Sequence, residues 1–350
     1  MPPATFLNAI GTAIPPNDVH ARFLSYAPTL LKTERERHLF NRMAERSGIE
    51  HRWSSLDERD PFYLPGAFPG TAQRMRRFER DSMPLAEAAL ADLGRRLNRD
   101  WRHGLTHLIL VCCTGFEAPG LDQRLMKRFG LDSALERTVV GFMGCNAAFN
   151  ALKLARHIVR SEPASRVLVL NIELCTLHMQ ETDNLAQALC FMLFADGCTA
   201  SLVSAEPRGL ELERFSAALL PDAMDQITWH IGDDGFDMRL SGQVPSTILT
   251  HLPSHLAALL GQRPQEEVEL WAVHPGGRSI LDAVQYSLSL HDDILAPSRE
   301  VLRDCGNMSS ATVMFVLARL LAQPSRGRAG VGLGFGPGIG VESLAFREAA

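Results

Sequence analysis

A chain of 350 residues with 46% apolar and 21% charged residues has the composition of a globular α/β protein and the length of about two domain-sized units. Its formal net charge of −5 argues against nucleic acid or an anionic membrane surface as the main partner. No stretch approaches the ~20 uninterrupted apolar residues that a bilayer-spanning helix needs.

The opening MPPATFLNAIGTAIPPNDVH lacks a basic n-region and is broken early by prolines, so it is not expected to act as a signal peptide. Phe6 to Ala13 reads as a first strand. Glu34 to Ser47 reads as a polar helix carrying Arg35, Arg37, Arg42 and Arg46, a pattern that ordinarily marks a solvated face. Arg52 to Gln73 has no clear period and is expected to be loop. Ser82 to Leu97 places Leu85, Ala86, Ala89, Leu90, Leu93 and Leu97 on one helical face. Thr106 to Cys113 is a near-continuous apolar strand of the kind covered on both sides in a parallel sheet. A loop to Gly120 and a helix to Phe129 follow.

Thr138 to Phe142 reads as a short buried strand punctuated by Gly141 and Gly144. After Cys145, apolar residues at Ala148, Leu152, Ala155 and Val159 take up helical spacing. Cys145 thus sits where strand becomes helix. Unpaired N–H groups and the positive helix end favour thiolate there, and are expected to lower the pKa from about 8.5. A free cysteine more often packs as a small hydrophobe, and this chain has seven. An odd number of them fits a reducing cytoplasm rather than a disulfide framework.

Arg166 to Asn171 is a further strand, Glu181 to Phe194 a helix, and Asp196 to Val203 a strand. The alternation argues α/β. Leu210 to Ala217 starts the second half, and a polar segment runs on to Gly242. Val244 to Leu260 is a helix, Val268 to Val273 a strand, and Ser279 to Ser289 a helix. Leu302 to Asn307 reads as loop, with Ser309 or Ser310 capping a helix to Leu321. Two alternating segments, Gly330 to Phe335 and Ile339 to Phe346, close the chain. Both halves end in glycine-punctuated strands, which hints at duplication. The series Gly332 to Gly340 has Pro337 where a dinucleotide fingerprint needs its third glycine and no helix after it, so a Rossmann site is rejected. Neither a CxxC pair nor a P-loop is present.

A nucleophilic thiol needs a proton acceptor and donors for an oxyanion. Among twelve histidines, His274 leaves the end of a buried strand and is followed by Pro-Gly-Gly, which admits close backbone approach. Asn307 follows Gly306 ahead of a helix, where Asn is also an ordinary cap.

GFMGCNAAFNALKLA, WAVHPGGRSILD, CGNMSSATVMFVL and GFGPGIGVESL resemble the signature stretches of type III polyketide synthases, the chalcone synthase-like family. AIGTAIPPN and LFADG match it too. The resemblance implies the thiolase fold, a layered αβαβα built from two duplicated halves, residues 1–205 carrying the nucleophile and 206–350 the other catalytic residues. It implies a Cys145–His274–Asn307 triad with Phe194 as gatekeeper, acyl-CoA and malonyl-CoA as substrates, a cytoplasmic homodimer, and no metal or organic cofactor. It further implies that Arg42 and Arg46 meet CoA phosphates and that Gly276, Gly277 and Ser279 approach the pantetheine arm. Cys113, His178, Ser309 and Pro337 are expected to line the elongation cavity. Met238 stands at a second gatekeeper position that is phenylalanine in plant enzymes, and Ala118 replaces a bulky methionine. Both departures point to an aliphatic starter and a pyrone- or resorcinol-type product. A ketoacyl-ACP synthase of fatty-acid initiation and a thioester hydrolase are the rival readings of the same thiol.

Overall fold

The computed structural model describes residues 3–57, 60–323 and 327–349. Nine strands among the described residues join in the order Val268–Val273, Ala329–Gly336, Gly340–Glu348, Leu210–Leu219, Phe6–Ala13, Asp196–Ser204, Val167–Leu174, His107–Cys112 and Glu136–Gly141. The two ends of this array repeat one plan. In each, the first strand in sequence (Phe6–Ala13 or Leu210–Leu219) lies antiparallel to the last, Asp196–Ser204 or Gly340–Glu348. That strand is antiparallel to the one before it, which is parallel to a fourth. Within the sheet, the pairs Phe6–Glu211 and Leu7–Leu210 join the halves.

Strand alternation explains the layers. Val167 and Val169 face inward, as do Leu270 and Ala272 of the other half. Their neighbours Leu168 and Leu170, or Trp271 and Val273, face outward. The inner layer is filled by the helices Ala147–Ser161 and Thr312–Leu321, whose Phe149, Leu152, Met314 and Leu317 are fully buried. Thr71–Leu97 covers the outer face of one half, and Val244–Leu260 with Arg278–Ser287 covers the other. The result is helix, sheet, helix pair, sheet, helix. None of the described helices is long and apolar enough to cross a membrane.

Four local expectations need correction. The helix ending at Leu97 begins at Thr71, within the segment read as loop; residues 58–59 of that segment lie outside the described residues. Its first turns bury Arg74, whose guanidinium donates to the carbonyls of Leu177 and Met179, and a buried charge hides the apolar period. Glu136–Gly141 is not buried but forms the sheet edge, with Val139 52% exposed. The polar segment before Gly242 contains a hairpin, Ile227–Gly232 with Gly235–Leu240. Ala296–Cys305 is helical and ends at Gly306, with a φ of 70° that suits glycine.

Candidate active site

The nucleophile turn is held by backbone constraint. Gly144 has a φ of 89°, and a Cβ there would lie 2.1 Å from Pro337 Cδ, so only glycine fits. Its N–H donates to Cys113 Sγ at 3.2 Å. Asn146 Nδ2 donates to the Gly340 carbonyl at 2.9 Å, seating the turn against the Pro337 loop of the other half. Phe142 has a φ of 57°, uncommon for a bulky residue and a sign of imposed strain.

His274 follows the strand Val268–Val273, and its main-chain N–H donates to Leu333 O at 2.8 Å. The imidazole is 1% exposed and neither ring nitrogen has a partner among the described residues. A buried polar group left unpaired is costly, which is expected of a site shaped for a ligand. Burial also lowers its pKa, so the ring rests neutral and able to accept a proton.

Asn307 is fixed in both backbone and side chain. Its N–H donates to Leu193 O at 2.8 Å and its carbonyl accepts from Ala195 N–H at 2.9 Å. Oδ1 accepts from Ser309 N–H at 2.9 Å and from the Thr312 hydroxyl at 3.3 Å, while Nδ2 donates to Gly276 O at 3.2 Å. These bonds fix the amide orientation and leave one Nδ2–H for the side facing Cys145.

Cys145, His274, Asn307 and Phe194 line one cavity of about 800 Å³. Cys145 reaches it from the first half of the chain, and His274 and Asn307 from the second. Cys113, His178, Met238, Ser309 and Pro337 line the same cavity, as do Arg46, Gly276, Gly277 and Ser279. Arg42 lies exposed on the helix Glu34–Glu45 and is not among the lining residues.

Electrostatics at Cys145 differ from expectation. Burial pushes the thiol up to about 12, outweighing hydrogen bonding from the Ser309 and Asn307 side chains that pulls the other way, and Glu173 adds to the rise. Desolvation is the largest of these contributions because a buried thiolate loses its hydration.

Several lining or supporting residues escaped sequence reading. Glu173 is fully buried and accepts from Cys113 N–H and the Thr114 hydroxyl, both at 2.9 Å, and from the Ser310 hydroxyl at 2.5 Å. Burial raises it to about 7. The usable signal was a lone carboxylate in the mostly apolar strand Val167–Leu174. Trp229 lines the cavity from the missed hairpin and donates to Cys113 O at 3.0 Å. Arg278 stands among the lining residues beside Arg46.

Comparison with known proteins identifies the family. The N-terminal domain of chalcone and stilbene synthases matches residues 2–207, and the C-terminal domain matches residues 211–350. The "alpha-pyrone synthesis polyketide synthase-like Pks18" of Mycobacterium tuberculosis is 33% identical over 329 residues, covering 89% of this chain and 82% of that one. PKS-I of the brown alga Ectocarpus siliculosus superposes with a TM-score of 0.91 at 27% identity, covering 99% of each chain. The 1,3,6,8-tetrahydroxynaphthalene synthase of Streptomyces coelicolor does so with a TM-score of 0.89, also at 27% identity and 99% of each chain. The chain therefore belongs to the chalcone and stilbene synthase family, and is a type III polyketide synthase of thiolase fold that transfers acyl groups from CoA thioesters without a further cofactor.

Proposed function

We propose that this enzyme loads a CoA-linked aliphatic starter onto Cys145, extends it with malonyl-CoA and closes the product as a pyrone or resorcinol. The observation that carries this reading is the convergence of Cys145, His274, Asn307 and Phe194 on a cavity whose walls include Leu189, Met192, Ile227, Met238 and Leu240. Apolar, flexible walls suit an alkyl chain.

The buried thiol and neutral imidazole define the first step. Neutral His274 accepts the Cys145 proton as the sulfur attacks the starter thioester, and returns it to the departing CoA sulfur. Malonyl-CoA then places its thioester oxygen between a His274 N–H and the free Asn307 Nδ2–H. As the carboxylate leaves as carbon dioxide, the bonding pair becomes an enolate, and both donors aim at the charge that develops. Phe194 presents an apolar face that disfavours the ionised carboxylate. The enolate carbon attacks the acyl carbon on Cys145, the sulfur leaves, and the chain, two carbons longer, is carried on CoA.

We read residues 1–205 and 206–350 as the two thiolase-like halves, supported by the repeated strand plan. We assign a homodimer formed through the edge strand Glu136–Gly141, because Val139 and nearby Met143 are 52% and 46% exposed apolar side chains. Seven free, buried cysteines suit the reducing cytoplasm. Arg46 at the cavity mouth is assigned to CoA phosphate, with Gly276, Gly277 and Ser279 along the pantetheine arm.

A panel of acyl-CoAs with labelled malonyl-CoA, read by mass spectrometry, tests the proposal. Labelled pyrones or phenols are expected, and Cys145→Ala abolishes the acyl-enzyme mass. Release of unextended free acid alone identifies a hydrolase. Consumption of malonyl-ACP with malonyl-CoA ignored identifies a ketoacyl-ACP synthase.

A further inference from the structure

Arg52 is 3% exposed; its main-chain N–H donates to Asp18 Oδ1 at 3.2 Å, whereas its guanidinium bonds to neutral groups. Nε–H donates to His20 Nδ1 at 3.0 Å, and Nη1–H donates to the carbonyls of Phe191 at 2.7 Å and Phe194 at 2.8 Å. Nη2 is buried with no partner among the described residues. The guanidinium also lies 4.7 Å from the centre of the Phe23 ring. A buried cation ordinarily takes a carboxylate partner, because desolvation is otherwise too costly. Here Asp18 and Asp196 act on the charge through space, while the guanidinium's own bonds go to the end of the helix Leu185–Leu193. Its final carbonyls are unpaired within the helix and carry the negative end of its dipole. Arg52 caps them.

The capped end bears on the site. Phe194 is the residue at which the helix stops. On either side of it, Leu193 O and Ala195 N–H bond the backbone of Asn307. Arg52 reaches this second segment too: a Cβ on Gly306 would lie 3.0 Å from Arg52 Cγ and 3.1 Å from Leu193 O. One buried side chain thus touches both segments that carry the gatekeeper ring and the enolate-holding carboxamide. Cys145 comes from a separate turn ahead of Ala147–Ser161, and Arg52 has no bond to it.

We infer that Arg52 is a positioning residue for decarboxylation: it locks the end of the Phe194 helix onto the Gly306–Asn307 turn and so sets the ring and the carboxamide against the malonyl group. The inference rests on the polyketide synthase reading above. It assigns Arg52 to the extension half-reaction and leaves starter loading independent of it.

The test separates the two half-reactions. Loading is read as the rate of Cys145 acylation by intact mass, and decarboxylation as labelled carbon dioxide released from malonyl-CoA. For Arg52→Met, decarboxylation is expected to fall about 100-fold, chiefly in kcat, with loading within about threefold of wild type, since misplacement by roughly an ångström costs that much. Arg52→Lys keeps the charge but lacks the planar fork, and recovers about tenfold of the loss. His20→Leu removes only the Nε acceptor; it provides a milder variant should Arg52→Met not fold, and loses about fivefold in decarboxylation alone. Equal losses in both half-reactions, or undiminished decarboxylation in a folded Arg52 variant, overturn the assignment. A wild-type enzyme that acylates Cys145 but releases no carbon dioxide defeats the polyketide reading itself, and the Arg52 role with it.

Discussion

The His178 imidazole lies flat on Phe236, with ring centres 4.0 Å apart and planes 17° apart. Both its nitrogens are engaged. Phe236 N–H donates to Nδ1 at 3.2 Å, so the proton sits on Nε2, which donates to Thr114 O at 2.7 Å. With Trp229 bonded to Cys113 O at 3.0 Å, these contacts dock the hairpin that carries Met238 against the Cys113–Thr114 segment. Phe142 and Phe116 extend the cluster to the nucleophile turn.

That buried ring has a pH signature. Burial pushes His178 down to about 3 from 6.5, so between those values the unfolded chain binds a proton that the folded chain does not. Stability therefore falls as pH falls through this window, and is insensitive to His178 above it. His178→Asn keeps the acceptor at the Nδ1 position and removes the titration. Between about pH 6 and pH 4, wild type should lose about 1.4 kcal/mol more per pH unit than the variant. Urea midpoints across the series measure this; parallel curves would show that His178 titrates alike in both states.

Alkylation of the resting enzyme reports the state of Cys145. With the thiol held up to about 12 by burial, modification by iodoacetamide should rise about tenfold per pH unit between pH 7 and pH 9 with no plateau. Peptide mapping assigns the modified sulfur. A plateau reached below pH 7 would instead indicate a thiolate formed before substrate binds.

Asn307→Ala removes one of the two donors proposed for the enolate. Malonyl decarboxylation should drop by about 100- to 1,000-fold, with starter loading reduced less than about tenfold. The measurement is labelled carbon dioxide release beside acyl-enzyme mass. Equal impairment of both steps would contradict the assigned role.

Val139→Lys tests the edge strand. In a two-fold symmetric interface each substitution is met twice, and two lysines facing one another across paired edges repel. Sedimentation should show the proposed dimer giving way to monomer at micromolar concentration, with cysteine acylation retained. An unchanged dimer mass places the interface elsewhere.

Local chemistry made much of this protein legible in one dimension. Strong periodicity marked Phe6–Ala13, Val244–Leu260 and Val268–Val273 at their observed bounds, because side-chain alternation or helical spacing is imposed by burial against a neighbouring layer. Glycines at Gly144 and Gly306 announced turns that no side chain tolerates. The motif strings around Cys145, His274 and Asn307 carried the family, and with it the triad proposed above.

Folding alone decided the rest, because the deciding terms act between residues far apart in sequence. The helix that begins at Thr71 was hidden by Arg74, a charge that is affordable inside only where the carbonyls of Leu177 and Met179 meet it. The apolar stretch Thr138 to Phe142 reads as a core strand, yet the strand that forms, Glu136–Gly141, lies at a sheet edge. A helix N-terminus predicted an acidic thiol at Cys145, whereas the walls that close over the sulfur withdraw water and raise its pKa. Residue order specified which groups are present and which turns carry them; only the packed interior, by excluding solvent, settled how they are charged and what they face.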